Sequence, residues 1–245
     1  MAINLNAFDT KIPLAVKHFW KSRDDAANNQ KSRGVEDQGN RSSVTAGKNL
    51  DGFVVMIKQL IIDNGIPDVE IFTDSKTNLI IPGYFRPTKN WDLLVVSKKK
   101  LLAAIEFKSQ VGPSFGNNFN NRVEEALGNA TDLNTAYREG AFGESQKPFV
   151  GYFFILEECP KSLSPVRFKS PHFPAFKEFN ETSYASRYEI FCRKMVQEQL
   201  YDAACLLLTK QADIKTGQYK SLSEFTSPKR FAISLASKII GMALE

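Results

Sequence analysis

Apolar positions along the chain fall into blocks of two different spacings. Residues 8–21 carry Phe8, Ile12, Ala15, Val16 and Phe19 at intervals of mostly three or four, which predicts an amphipathic helix with Pro13 near its first turn. Residues 50–64 repeat that spacing with Leu50, Phe53, Val54, Ile57, Leu60 and Ile61, and Gly65 and Pro67 end the helix. Between the two, residues 22–49 hold Arg23, Lys31, Arg33, Arg41 and Lys48 among Asn, Gln, Ser and Gly, with almost nothing apolar. Such a composition cannot bury enough surface to order itself. It predicts a flexible surface loop in the free protein, or an arm that orders against phosphates.

Shorter runs follow. Residues 69–73 and 79–82 read as strands. Residues 91–96 and 101–108 flank a basic tip at 97–100 and read as a hairpin; both runs carry apolar residues on both faces, so the hairpin belongs inside a covered sheet. A helix over 120–139 and a buried strand over 149–157 complete a β-β-α-β order. Residues 159–182 are rich in Pro and Phe without periodicity, an inserted recognition or dimerisation element. Residues 184–200 read as a helix, and 201–209 as a strand or a buried helix end. A last helix over 225–245 puts Phe231, Leu235, Ile239 and Met242 on one face.

The hairpin also carries the candidate chemistry. Centred on Lys99, it pairs Ser97 with Leu101, Val95 with Ala103 and Asp92 with Glu106. Opposed residues hold their Cβ atoms roughly 5 Å apart. Glu106 and Lys108, two apart on one strand, share a face, so two carboxylates and an ammonium meet at the sheet end away from the turn. A slip of one residue would destroy the arrangement. Two carboxylates so close repel, and a divalent cation relieves the repulsion; Mg2+ favours one or two carboxylates with waters and substrate phosphate oxygens. A lysine beside it can orient or deprotonate an attacking water and stabilise phosphorane charge. The pattern Asp, thirteen residues, Glu-x-Lys is thus one of metal-dependent phosphodiester hydrolysis. A salt-bridged strand end is the bland alternative, but Glu106 and Lys108 follow five apolar residues, where buried charge is costly.

At these residues the sequence resembles the PD-(D/E)xK nuclease superfamily. More narrowly, it is similar to the XhoI-type type II restriction endonucleases through Pro82-Gly83-Tyr84-Phe85-Arg86-Pro87 running on to Asn90-Trp91-Asp92, through Glu106-Phe107-Lys108-Ser109, and through 111–122 with its four Asn residues. Further likeness lies in Ser170-Pro171-His172-Phe173-Pro174 and in 187–194. The Pro of the superfamily name is absent before Asp92, but that Pro takes no part in the chemistry. The resemblance implies an α/β fold with a PD-(D/E)xK core, a mixed β-sheet flanked by helices. It implies a homodimer cutting double-stranded DNA at the palindrome 5′-CTCGAG-3′ after the first C. Asp92 and Glu106 would bind Mg2+ with the Phe107 carbonyl as a third ligand, and Lys108 would position or activate the water. Asp51, in the first turn of the second helix, is either a dipole-favoured residue or the remote third acid some members carry there. Arg86 and Lys89 lead into the site and suit phosphates, whereas Tyr84 and Phe85 read as core. Ser114, Asn117, Asn118, Asn120, Asn121 and Arg122 follow the catalytic strand and belong near the DNA, with base contact versus phosphate contact open. A repair or recombination nuclease on the same core, or a DNA-binding protein without catalysis, are the rival readings.

Composition bounds this picture. The 245 residues, 42% hydrophobic, suffice for one endonuclease domain over 1–245. A net charge of +5 and a pI near 9.0 suit an anionic partner. Cys159, Cys192 and Cys205 are scattered, which argues against zinc and for a reducing compartment. No long apolar run exists, so a cytoplasmic protein without membrane contact is expected.

Overall fold

The computed structural model describes residues 3–32, 48–66, 68–74 and 77–243. Helix α1 (Asn6–Ser32) packs Phe8, Ile12, Val16 and Phe19 inward. It runs eleven residues beyond the expected end at 21. The extension is anchored by Arg23, which is buried with its guanidinium over the Phe19 ring at 5.6 Å. Hence 22–32 is helix rather than loop, and so is the other end of the expected loop, where Lys48–Leu50 form a 3-10 turn with Asn49 buried; the expectation for 33–47 lies outside the described residues. Helix α2 (Asp51–Asp63) follows and buries Phe53, Met56, Ile57, Leu60 and Ile61.

Strand β1 (Val69–Phe72) leads to a small separate hairpin, β2 (Ile80–Pro82) and β3 (Thr88–Asn90). Then come β4 (Leu93–Ser97), β5 (Lys100–Gln110), helix α3 (Phe115–Arg138) and β6 (Phe149–Glu157). A short helix α4 (Pro160–Leu163), helix α5 (Tyr184–Gln197), strand β7 (Ala203–Thr209) and helix α6 (Pro228–Ala243) complete the described chain. The open choice at 201–209 resolves as a strand, buried along its whole length.

The main sheet has the order β1-β4-β5-β6-β7. Its first two pairings are antiparallel and its last two parallel, giving the mixed sheet flanked by helices that the resemblance implies. One face packs on α1, α2 and α6 through Leu93, Val95, Ile105, Phe107 and Phe153; the other packs on α3 and α5 through Leu94, Ala104, Tyr152, Phe154 and Leu156. Two covered faces explain why the central strands lack alternation. Fully burying each such side chain contributes roughly 1.5–3 kcal/mol. Gly151 in β6 is required by this packing, since a Cβ there would stand 2.8 Å from the Phe149 and Phe231 rings.

The hairpin turns more tightly than expected. Ser97 pairs with Lys100 rather than Leu101, and Lys98 and Lys99 both take positive φ (50° and 65°), the signature of a two-residue turn. A register shift between Val95 and Val96 then restores the expected pairing, so Val95 meets Ala103 and Leu93 meets Ile105.

Candidate active site

The restored register carries Asp92 and Glu106 to the same end of the sheet. Asp92 precedes β4, and its Oδ2 accepts the Phe107 backbone N–H at 2.7 Å, tying the two chains together where ladder pairing stops. Glu106 is only 2% exposed, against Tyr152 of β6. Such burial is tolerable because both its oxygens are matched. Oε1 is ion-paired with the Lys108 ammonium, and Oε2 with the Lys89 ammonium at 2.8 Å. Lys89 comes from β3, so the small hairpin brings a second cation to Glu106. Its Nζ also donates to the Asn90 carbonyl at 2.6 Å and lies 5.0 Å from the centre of the Trp91 ring.

The electrostatics separate the two acids. Burial, and then the nearby Glu106 charge, push the Asp92 carboxyl up to about 6. Burial also works to raise Glu106, but the Lys108 and Lys89 ammoniums outweigh it and hold Glu106 below the usual range. Burial works to lower Lys108, and Glu106 and Asp92 reverse that to hold it above its ordinary value.

These groups fit a hard divalent cation. The donors are carboxylate and carbonyl oxygens, and the Lys89 ammonium already stands as a cation between Glu106 Oε2 and the Asn90 carbonyl. Asp51 is exposed at the start of α2 and shares a cavity of about 320 Å³ with Asp74, Trp91, Asp92 and Phe107. Yet no three His, Cys, Asp or Glu side chains among the described residues group closely enough to hold a metal together. Asp51 thus shares the cavity without joining the carboxylate pair.

The residues expected near DNA divide. Arg86 gives Nε to Asp132 Oδ2 at 2.9 Å and Nη2 to Asn129 at 3.0 Å. Asp132 Oδ1 also accepts the backbone N–H groups of Tyr84 and Phe85, both at 2.7 Å. Burial would raise the Asp132 carboxyl, but the Arg86 bond and these N–H donors hold it low. Gly83 is required here, because a Cβ would fall 2.3 Å from Asp132 Oδ2. The loop is thereby turned outward, and Tyr84 and Phe85, expected in the core, are exposed as an edge-to-face pair.

Helix α3 starts at Phe115, five residues earlier than expected, so the Asn block lies within its first turns rather than at its start. Ser114, Asn117, Asn120 and Asn121 are exposed and Asn118 and Arg122 half-buried. Arg122 pairs with Glu125 at 2.6 Å and is close enough to Lys108 to oppose its charge. Sequence reasoning missed Gln110, which is buried on the Glu106–Lys108 face. It donates to the Phe115 carbonyl at 2.9 Å and to the Ser114 carbonyl at 3.2 Å, and accepts from the Tyr188 hydroxyl, pinning the start of α3 to β5. The signal was there in the spacing Glu106-x-Lys108-x-Gln110. Asp132 was also missed; its position among Ala130, Leu133 and Ala136 on the buried face of α3 marked it.

The helix-flanked mixed sheet thus brings acidic and basic groups together at one strand end. The comparisons narrow the class. A model of the family "Restriction endonuclease XhoI" matches residues 29–221. The chain is 50% identical over 196 residues to the type II restriction enzyme XhoI of Xanthomonas vasicola, covering 80% of this chain and 78% of that protein. It is 49% identical over 209 residues to the type II restriction enzyme BstVI of Geobacillus stearothermophilus, covering 83% and 92%. It is 50% identical over 173 residues to the type II restriction enzyme AbrI of Azospirillum brasilense, covering 71% and 77%. No solved structure matches the chain. The chain belongs to the XhoI restriction endonuclease family. Among the described residues, no helix is long and apolar enough to cross a membrane.

Proposed function

We propose that the chain cuts double-stranded DNA at 5′-CTCGAG-3′ after the first C, as a cytoplasmic homodimer, by Mg2+-dependent hydrolysis at Asp92, Glu106 and Lys108. As a family member it is a type II restriction endonuclease, a site-specific deoxyribonuclease. The observation that supports the site is the carboxylate pair at one strand end, with Glu106 held between two ammoniums. Asp92, Glu106 and the Phe107 carbonyl would hold Mg2+, with Asp51 an auxiliary acid across the shared cavity. Bound there, Mg2+ supplies positive charge against the oxygens of the scissile phosphate. Lys108 holds the attacking water as a charged donor, in line with the O3′ leaving group. The water gives up a proton to bulk solvent as its oxygen forms the new bond to phosphorus, the bond to O3′ breaks, and the leaving O3′ takes a proton from solvent, leaving a 5′-phosphate and a 3′-hydroxyl. Lys89 exchanges Glu106 for a substrate phosphate, and Arg122, beside Lys108, meets the same strand. Arg86 holds the loop that leads Lys89 in, and its remaining exposed donors suit a neighbouring phosphate. Ser114, Asn117, Asn118, Asn120 and Asn121 present amide and hydroxyl groups to base edges or backbone. Two identical subunits would present identical surfaces to the halves of a palindrome. Digestion of a plasmid of known sequence with Mg2+, followed by sequencing of the ends, tests this reading. Cuts at CTCGAG with four-base 5′ overhangs support it (roughly one site per four kilobases of random sequence, as any six-base specificity gives), and cuts elsewhere would overturn the assigned site.

A further inference from the structure

Strands β5 and β6 are parallel, and both end on the side where Glu106 and Lys108 lie. What leaves the end of β6 is therefore beside the active site, and ligands of such sheets gather at the carboxyl ends of the strands. Residues 158–183 leave there. Their base is fixed: the Val166 N–H donates to the Thr182 carbonyl at 2.8 Å, and Arg187 of α5 donates to the Val166 carbonyl at 2.7 Å and to Thr182 Oγ1 at 3.1 Å. The same guanidinium lies 5.6 Å from the centre of the Phe168 ring. A held base thus carries an outward tip on which Phe173 and Phe176 are 79% and 78% exposed. Rings that far into solvent contribute little to folding and suit a partner.

The charge pattern names the partner. The outward half of the loop and the segment before it, residues 161–177, carry Lys161, Arg167, Lys169 and Lys177, and the loop's two acidic residues, Glu178 and Glu181, come only as the chain returns to the base. A groove of about 580 Å³ separates this segment from the start of α3, and Lys161 and Arg167 line it opposite Ser114 and Asn117. A second copy meeting the loop about a twofold axis would set Arg167 and Lys169 against their own copies, whereas a nucleic acid backbone matches them, and exposed rings suit base edges in a groove or a wedge between base steps. We propose that the loop 166–182 is a second DNA-contacting element. Arg167 and Lys169 neutralise backbone phosphates, Phe173 and Phe176 lie against the bases, and the groove beside Asn117 seats the strand between them. The inference rests on the nuclease reading but not on its recognition sequence.

Phe173→Ala/Phe176→Ala and Arg167→Ala/Lys169→Ala test it. Binding is measured by fluorescence anisotropy without Mg2+, on a duplex carrying whatever sequence the wild type cuts. All four side chains are exposed, so melting temperatures should stay at the wild-type value. The aromatic pair should weaken binding about tenfold or more, and the basic pair should lower the slope of log affinity against log salt by about two per subunit, about four for a homodimer. Wild-type affinity and slope in both variants would overturn the proposal. So would a loss of binding accompanied by dissociation of subunits in light scattering, which would assign the loop to a second copy. If the wild type itself ignores duplex DNA, the nuclease reading falls first.

Discussion

Lys89→Ala should tighten the binding of Mg2+ to the DNA-free protein. In the structure the Lys89 ammonium, on a side chain only 14% exposed, makes two short contacts, 2.8 Å to Glu106 Oε2 and 2.6 Å to the Asn90 carbonyl. A metal ion reaching Glu106 must first displace it. A hydrogen bond to a charged group is worth about 1.5–3 kcal/mol net, and each 1.4 kcal/mol is about tenfold in affinity. Removing one such competitor therefore lowers the Kd for Mg2+ by roughly ten- to hundredfold. Lys108 still pairs with Glu106 Oε1 in the variant, so the carboxylate remains charged. Isothermal titration of Mg2+ into wild type and variant measures the change. A second readout is the melting temperature, lower than wild type without metal and rising more steeply on adding it, because ligand binding stabilises the folded state by mass action. An unchanged or weaker Kd in Lys89→Ala would refute the reasoning, since Lys89 would then not stand where the metal goes.

Three further outcomes are expected. Asp92, pushed up to about 6, binds a proton in the folded protein at a pH where the unfolded chain does not. The metal-free wild type should therefore gain stability relative to Asp92→Asn as pH falls from 7 to 5; denaturant melts across that range check it, and a relative loss would contradict the cause assigned. Asn118→Ala or Asn121→Ala should lower the ratio of cognate to single-mismatch affinity by about 1–3 kcal/mol if these amides meet base edges, measured on two duplexes; a uniform loss on both would mean phosphate contact instead. Asp132→Ala should cost about 1–3 kcal/mol in unfolding free energy by removing the shared partner of the half-exposed Arg86 and of the loop N–H groups, read from urea denaturation; a loss under about 0.5 kcal/mol would show that the loop does not depend on this anchor.

Much of the fold was legible because burial imposed period and length on the sequence. The 50–64 pattern became α2 within a residue, and the long apolar runs became β4, β5 and β6. The pairing of Val95 with Ala103 followed from centring the hairpin on Lys99, although the turn and the compensating shift beyond Val95 did not. Local tightening at a basic tip leaves no mark on an apolar pattern. The first-helix boundary failed because Arg23 looks like a surface residue until its stem and guanidinium lie over Phe19. Tyr84 and Phe85 failed for the opposite reason: apolar character suggested the core, while Asp132, 48 and 47 residues away in sequence, fixed their loop facing solvent. The position of Lys89 just before Asp92 marks it as a cation near the site, but its pairing with Glu106 across 17 residues depends on β3 folding beside β5. Spacing exposes groups that share a strand face; it does not expose those brought in by another element.

The central claim is that Asp92 and Glu106 form the metal centre that cuts DNA. The direct measurement is cleavage of a plasmid bearing one cognate site by Asp92→Ala and Glu106→Ala in Mg2+, with binding of a cognate duplex measured alongside. Both variants should bind the duplex and leave the plasmid uncut. Linear product formed by either variant at near the wild-type rate would contradict the claim.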